Sequence, residues 1–446
     1  MILDRFTMAL GRLMHRLWNG MLPCLAMRRH IPPLFGLIVC LGGLPVWAQT
    51  NEEVFREFQF DFSLPGARAA ALGGAFIGTA DDASASYANP AGLAFLAEPA
   101  ITLEYRLTER DGREAFFLNA GNTSFTQEAV DFEQLNFFAA NYRFGSWYFG
   151  AFQYRYLQDR QNRDFVSSSF TGDTQIGEQR RISLDLSGDI RGLGVARRYG
   201  DFKLGATLNW FELVGRTSYG REGFEQTIGE LPETFDFNSS IDDTDHAFGW
   251  SIGLLHEVRG DFTWGLVYRS NPKLFLQEQV SESRNGLPFF EDEIAVPFAV
   301  PDVFGGGVQY RVLPTARLML DWQRIFYSQI IGDDFAIVEN VEEERVENYV
   351  VDDIDQFHLG FEYLIAANHN VWAVRGGYFR NPRHTIRYRG DDERVAERFS
   401  VTGLGDEDHA TVGFGWVWNN RFEIDLAADL WSTGREVTLS VIWRKK

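Results

Sequence analysis

The sequence predicts an all-β chain, an antiparallel transmembrane β-barrel of about 14 strands with an N-terminal plug. Three observations predict it. From residue 99 onward, runs of roughly ten residues alternate apolar with polar or small side chains, the period of a strand with two unlike faces. The joints between runs alternate between very short and long. Aromatic residues make up 15% of the chain, yet nothing after Leu44 stays apolar for the roughly 18 residues a spanning helix needs.

The first segment, 1–48, reads as a secretory signal peptide. Arg28 and Arg29 precede an apolar stretch from Ile31 to Leu44, and Val46-Trp47-Ala48 offers small residues at the ends of a cleavage site. Met27 fits such a segment as a start better than Met1 does. Both cysteines, Cys24 and Cys40, lie in this segment, so no disulfide framework is expected after it. Removing it takes away five of the 42 Lys/Arg and one of the 62 Asp/Glu, which moves the formal charge from −20 to −24. So acidic a chain excludes nucleic acid as a partner.

Residues 49–98 do not alternate. They are rich in glycine and alanine from Pro65 to Ala94, which suits tight folding in a confined space. A barrel of about 14 strands has a lumen too wide for side chains alone to fill, so this segment is expected to be the plug.

Residues 99–446 are expected to form the barrel. Outward positions read Phe202, Leu204, Ala206, Leu208 and Trp210 on one run, and Phe357, Leu359, Phe361 and Tyr363 on another. Trp147, Trp210, Trp264, Trp322, Trp372 and Trp443 suit interfacial girdles. Tight turns are expected near 144–145, 200–201, 260–261, 313–314, 367–368, 419–420 and 432–434. Long loops are expected at roughly 109–132, 159–180, 217–244, 271–297, 328–353 and 381–407. An even strand number puts both termini on the periplasmic side of an outer membrane, with the loops outside.

Two of these loops are unexpectedly apolar. They carry Phe224, Phe235 and Phe237, then Leu274, Phe275, Phe289 and Phe290, an exposed set suited to capturing a hydrophobic ligand or to packing the loops together. The loop at 328–353 is instead acidic, with Asp333, Asp334, Glu339, Glu342, Glu343, Glu344, Glu347, Asp352 and Asp353. Its spacing matches no defined calcium loop, so solvated charge is expected. The histidines after residue 48 show no metal spacing, and no serine accompanies His409, Thr411 and Asp425. Residues 66–78 hold no phosphate-loop pattern. No enzyme, cofactor or metal is expected. Inward arginines are expected at Arg155, Arg191, Arg269 and Arg375.

Several motifs carry a resemblance. They are Gly66-Ala67-Arg68, Gly73-Gly74-Ala75-Phe76, Ala80-Asp81-Asp82-Ala83-Ser84 and Asn89-Pro90-Ala91-Gly92-Leu93. Further on stand Gly360-Phe361-Glu362-Tyr363, Arg375-Gly376-Gly377-Tyr378 and His409 to Gly415. With these the chain resembles the outer-membrane transporters of long-chain fatty acids and hydrocarbons (the FadL and TodX group), and more loosely the PorV-type barrels of protein secretion. The resemblance implies a hatch over 49–98, gated through Asp81, Asp82, Asn89, Pro90 and Ala91. It implies passive uptake of a hydrophobic small molecule, captured outside, bound in the lumen and released sideways at an inward kink in the third strand, for which Gly150 is the candidate. Arg68 or Arg375 would hold a fatty-acid carboxylate, unless both serve a paired lumen that supports the plug. Outer-membrane lipid and lipopolysaccharide are expected surroundings, and the chain is expected to be a monomer. A structural or shuttle barrel of secretion and a general polar porin are the alternatives.

Overall fold

The computed structural model describes residues 62–445, apart from 120–121, 172, 333–334, 336–345, 392–395, 397–398 and 400–404. The segment expected as a signal peptide, the expected start of the plug and most of the acidic loop therefore lie outside the described residues. No described helix is long and apolar enough to cross a membrane.

Alternation over the expected runs builds a closed antiparallel barrel. Its first six strands are β1 (Ala100–Asn119), β2 (Asn122–Phe144), β3 (Trp147–Thr171), β4 (Thr174–Tyr199), β5 (Phe202–Thr227) and β6 (Glu233–Val258). Then come β7 (Phe262–Ser270), the hairpin β8 (Lys273–Arg284) and β9 (Leu287–Ala299), β10 (Val303–Leu313) and β11 (Ala316–Ile325). A two-residue β12 (Tyr349–Val350) precedes β13 (Ile354–Ala367) and β14 (Asn370–Asn381). A two-residue β15 (Arg387–Tyr388) precedes β16 (Glu407–Trp418), β17 (Phe422–Trp431) and β18 (Gly434–Arg444). The 14 wall strands pair in chain order, omitting β8, β9, β12 and β15. The wall closes where β1 pairs with β18 from Ala100↔Arg444 to Arg110↔Gly434. Closure leaves no strand edge to lipid, the condition for crossing a membrane with strands.

The outer face carries the apolar belt. Phe202, Leu204, Leu208 and Trp210 are exposed, while Lys203, Thr207 and Asn209 between them are buried inside. The same division holds for Phe357, Leu359, Phe361 and Tyr363 against Gln356, His358 and Glu362. The short turns fall at one end, where Gly145, Gly200, Asn419 and Asn420 adopt the positive φ such turns require. The exception is Ser432–Thr433, which joins β17 to β18 at the opposite end.

The expected loops at 109–132, 159–180 and 217–244 are not loops. β4, β5 and β6 each run 26 residues, although about 9–11 suffice to cross the apolar layer. The wall is therefore tall over β1–β6 and low over β7 and β10–β18. Cross-strand polar pairs accompany the extension, such as Arg160–Asp185 at 2.9 Å and Arg181–Glu222. The expected loop at 271–297 is the β8–β9 hairpin, hydrogen-bonded to β6 from Phe235↔Arg284 to Ile241↔Glu278. In the last two loop regions, β12 pairs with β15, and Tyr349 packs against Tyr388 and Phe399.

Candidate functional site: the hatch, a slot in the wall and an aromatic cavity

Residues 62–99 fold inside the barrel. Two short helices, α1 (Ala67–Ala71) and α2 (Ala85–Ala88), are followed by a 3-10 turn at Pro90–Phe95. Small side chains let this segment sit directly on the wall, and the wall answers with glycines. A Cβ on Gly253 of β6 would lie 2.0 Å from Asn89 Oδ1, and one on Gly205 of β5 would lie 2.3 Å from Pro90 C. On the opposite side, a Cβ on Gly377 would meet Leu72 C at 2.3 Å, and one on Gly413 would meet Ala71 Cβ at 2.3 Å. Hatch and wall are thus in close contact on opposite sides of the lumen.

Polar bonds tie the hatch to many strands. Ala67 N donates to Ser440 Oγ at 2.8 Å, Ile77 N to Asp321 Oδ2 at 2.6 Å, and Thr411 Oγ1 to Ala71 O at 3.0 Å. Arg269 Nη2 donates to Ala88 O at 2.7 Å, and His358 Nδ1 bonds Gly73 O at 2.7 Å. Of the expected gating residues, Asn89, Pro90 and Ala91 are buried together in the 3-10 turn. Asn89 Nδ2 donates to Ile77 O at 3.0 Å and to Leu254 O at 3.4 Å, while its Oδ1 accepts from Ala91 N at 3.2 Å. Asp81 pairs with Arg68 and, at 3.3 Å, with Arg317 of β11. Asp82 Oδ1 accepts from Ser84 N at 2.9 Å, closing the turn before α2.

Arg68 and Arg375 are both occupied. Arg68 Nε lies 3.0 Å from Glu362 Oε2. Arg375 lies 2.8 Å from the same oxygen and 2.5 Å from Asp425. This is the paired lumen that supports the plug. A ligand carboxylate would have to displace a buried carboxylate to reach either arginine. Arg155 and Arg191 face outward rather than inward. Arg155 pairs with Asp189 at 2.9 Å, and Arg191 pairs with Glu212 at 3.2 Å and stands over Trp210. Arg155 shares the outward parity of Trp147, Phe149 and Gln153 on β3, and the ladder to β4 is unbroken up to it.

Gly150 is not where the third strand departs from regularity. It is paired on both sides, to Asn141 and to Gly194, and its missing side chain makes room for Ser86 and Leu93 of the hatch. The irregularity lies further along. The ladder between β2 and β3 ends at Phe137↔Tyr154, although β2 stays paired to β1 as far as Asn122 and β3 to β4 as far as Thr171. A slot thus opens between two long strands, with the shifted register at Arg155/Leu157 beside its base. The outward face changes from Phe149 to Gln153 and Arg155 at this level, so the slot begins at the edge of the belt. Behind the base stands an aromatic group from wall and hatch. Tyr87 lies 4.9 Å from Tyr154 and 6.0 Å from Phe152, and Phe137 lies 6.3 Å from Tyr154.

Deeper in the tall half, Tyr156, Phe211, Leu213, Ile241, Leu274 and Leu276 are buried in the same apolar core. Among the expected capture residues, Phe237 and Leu274 are buried. Phe224, Phe235 and Phe290 are half-buried, and Phe275 and Phe289 are exposed. The hairpin therefore roofs an apolar interior and turns only part of that set outward.

A cavity of about 210 Å³ lies on the other side of the hatch's first residues, Phe62, Ser63 and Leu64. Its wall holds a stack the sequence did not reveal. His358 lies 5.2 Å from Phe379, Phe379 lies 4.1 Å from His409, and His409 lies 4.9 Å from Trp431. Register builds it, because His358↔Phe379 and Phe379↔His409 are ladder partners on β13, β14 and β16. His409 Nδ1 lies 3.0 Å from Asp429 on β17, and not beside Asp425. Ser63 links cavity and slot. Its carbonyl accepts from Tyr154 Oη at 2.7 Å and its Oγ accepts from Arg106 Nη1 at 2.7 Å. Among the described residues no group of His, Cys, Asp or Glu is disposed to hold a metal.

No protein-family model and no curated protein sequence matches the chain. Solved structures do. The toluene transporter TbuX of Ralstonia pickettii is similar with a TM-score of 0.53 at 16% identity, covering 87% of this chain and 100% of that one. A FadL homologue from Pseudomonas aeruginosa gives 0.58 at 14% identity over 86% and 99%. The P. putida toluene transporter TodX gives 0.56 at 13% identity over 86% and 99%. All three are transporters or their homologues rather than enzymes. The chain thus has the fold of the FadL-type outer-membrane hydrocarbon transporters, a closed 14-stranded barrel around an N-terminal hatch.

Proposed function

We propose that this protein is a passive outer-membrane transporter of hydrophobic small molecules. In this reading both ends of the described chain face the periplasm and the tall wall stands outside. Residues 1–48 are the signal peptide, and the hatch extends from 49 to 98. The observation that carries the reading is the pairing of an occupied lumen with an interrupted wall. The hatch lies against wall glycines on opposite sides, so a ligand entering the apolar interior under the β8–β9 hairpin leaves sideways. The β2–β3 slot offers the way out, next to Phe137, Phe152 and Tyr154. Leu135, exposed on the outer face beside the slot, leads from it to lipid.

A polar porin needs an open aqueous lumen, and here the hatch occupies it. A secretion scaffold finds no specific support in the geometry. The fatty-acid version is the weaker form of transport, since Arg68 and Arg375 are engaged by Glu362 and Asp425. The test is uptake of labelled toluene and labelled oleate by cells with and without the protein. Faster toluene uptake with the protein is expected, and equal uptake of both compounds overturns the reading.

A further inference from the structure

We propose that the rim at the short-turn end binds the headgroups of anionic phospholipids, phosphatidylglycerol in preference to phosphatidylethanolamine, through a ring of unpaired cations anchored at Arg197. This rests on the reading that the belt spans a bilayer with the short turns on the periplasmic side. It does not depend on what is transported.

The two ends of the wall differ in how their charges are met. The chain carries a formal charge of −20, and at the loop end its arginines stand against acids. Arg160 meets Asp185 at 2.9 Å, Arg191 meets Glu212 at 3.2 Å, Arg324 meets Asp355 at 3.3 Å and Arg380 meets Asp406 at 2.5 Å. The turn end is built the other way. Arg143, Arg197, Arg259, Arg311, Arg421 and Lys445 make no ion pair among the described residues. Glu257 is already taken by Arg198 and Lys203, and Glu423 by Arg444. Glu98, Asp201 and Asp261 remain against these six cations, which leaves an excess of positive charge on an acidic chain.

The cations lie in or beside the turns β2–β3, β4–β5, β6–β7, β10–β11 and β16–β17 and at the end of β18. They therefore ring the wall, whereas a soluble acidic partner calls for a patch on one side. Exposed Phe144, Tyr199, Phe202, Trp418 and Phe422 stand at the same end and finish the apolar belt. Cations beside aromatic residues at the edge of such a belt lie where lipid headgroups lie.

Arg197 shows the chemistry. It points outward from β4, and its guanidinium stands 4.9 Å from the centre of the Trp147 ring and 5.1 Å from that of Tyr199. The rings hold the guanidinium by cation–π attraction, and among the described residues no carboxylate takes its N–H groups. Those N–H groups match two oxygens of a phosphate. Phosphatidylethanolamine carries its own ammonium, which a ring of cations repels. Phosphatidylglycerol carries only the phosphate charge.

The test is native mass spectrometry of the purified protein in detergent, titrated with dioleoyl phosphatidylglycerol and with dioleoyl phosphatidylethanolamine. At equal lipid concentration we expect several-fold more of the anionic lipid to be retained. Arg197→Gln should raise the phosphatidylglycerol concentration for half occupancy about fivefold, the effect of one cation at an anionic headgroup, and leave phosphatidylethanolamine unchanged. Adding Arg259→Gln and Arg421→Gln should bring the two lipids level. Arg181→Gln, which removes the same charge at the loop end, should alter neither. Equal retention of the two lipids by the native protein, which would leave the rim to an acidic periplasmic protein, overturns the proposal. So does a loss of phosphatidylglycerol as large in Arg181→Gln as in Arg197→Gln. The binding is read on purified protein, so it holds or fails independently of toluene uptake by cells.

Discussion

Arg68 of the hatch and Glu362 of β13 are joined at 3.0 Å, and the oxygen that makes this contact also takes Arg375 at 2.8 Å. One buried carboxylate oxygen therefore holds a hatch guanidinium and a wall guanidinium together. Glu362→Gln would leave two buried cations short of charge, and breaking such a pair costs about 3–5 kcal/mol. The hatch should loosen while the barrel, held by its ladder, stays closed. Limited proteolysis should then cut within residues 62–99 of the variant, with the folded barrel band retained on an unheated gel. A digestion pattern equal to that of the native protein would show that the pair does not seat the hatch.

Asn89 and Gly253 test the seat from the other side. A Val at 253 cannot share space with the Asn89 side chain, which lies 2.0 Å from the Cβ position. The turn at Pro90 must move, and single-channel conductance in planar bilayers should rise from near zero to a measurable open level. Asn89→Ala removes the bonds to Ile77 and Leu254 without a clash. It should cost about 1–3 kcal/mol and give brief openings instead of a steady one. Both variants should change uptake without lowering barrel yield. A closed Gly253→Val channel would argue against this contact as the seal.

Tyr154 closes the base of the slot and holds Ser63 with its hydroxyl. Tyr154→Phe keeps the ring packing on Tyr87 and Phe137 but frees the strand that separates slot from cavity. Hydrogen exchange at the amides of residues 63–64 should speed up about tenfold, since one neutral hydrogen bond is worth about 1 kcal/mol or a little more. Exchange at native rates would mean that Arg106 alone holds the segment.

Much of this architecture was legible in the sequence because its causes are local. The turns at Gly200 and at Asn419-Asn420 announce themselves by residues that accept positive φ. The belt shows as Phe202, Leu204, Leu208 and Trp210 at period two. What was not legible depends on partners far away in the chain. Arg160 and Arg181 look like loop residues until Asp185 and Glu222 are known to stand across the ladder. A charged residue such as Arg155 reads as inward on hydropathy alone, until Asp189 is known to stand across the ladder on the outer face. The stack of His358, Phe379, His409 and Trp431 arises only when four strands fall into register. One signal was overlooked. Gly205, Gly253, Gly377 and Gly413 occupy inward positions at mid-strand, where a side chain is expected, and their recurrence pointed to a backbone lying against the wall.

The hairpin provides the last prediction. Leu276 of β8 is 4% exposed and packs into the core formed with Ile241 and Leu213. A Cβ on Gly215 would touch its Cδ1 at 2.7 Å, so no side chain separates the hairpin from β5 there. If the apolar space below this roof is where ligand first collects, a charge at its centre should spoil capture without touching hatch, slot or cavity. Leu276→Asp sets an unpaired carboxylate among aliphatic groups. The group will drag the hairpin toward water instead of staying buried. Because the ladder of β8 with β6 runs from Phe235 to Ile241, clear of the β6 residues Trp250–Val258 that pair with β7, the 14-stranded wall should survive the change. Toluene uptake at low concentration should fall about tenfold, while uptake at saturating concentration should fall much less. Exit through the slot is untouched, and only the first encounter is weakened. A proportional loss at all concentrations would instead place the hairpin's role in the passage step.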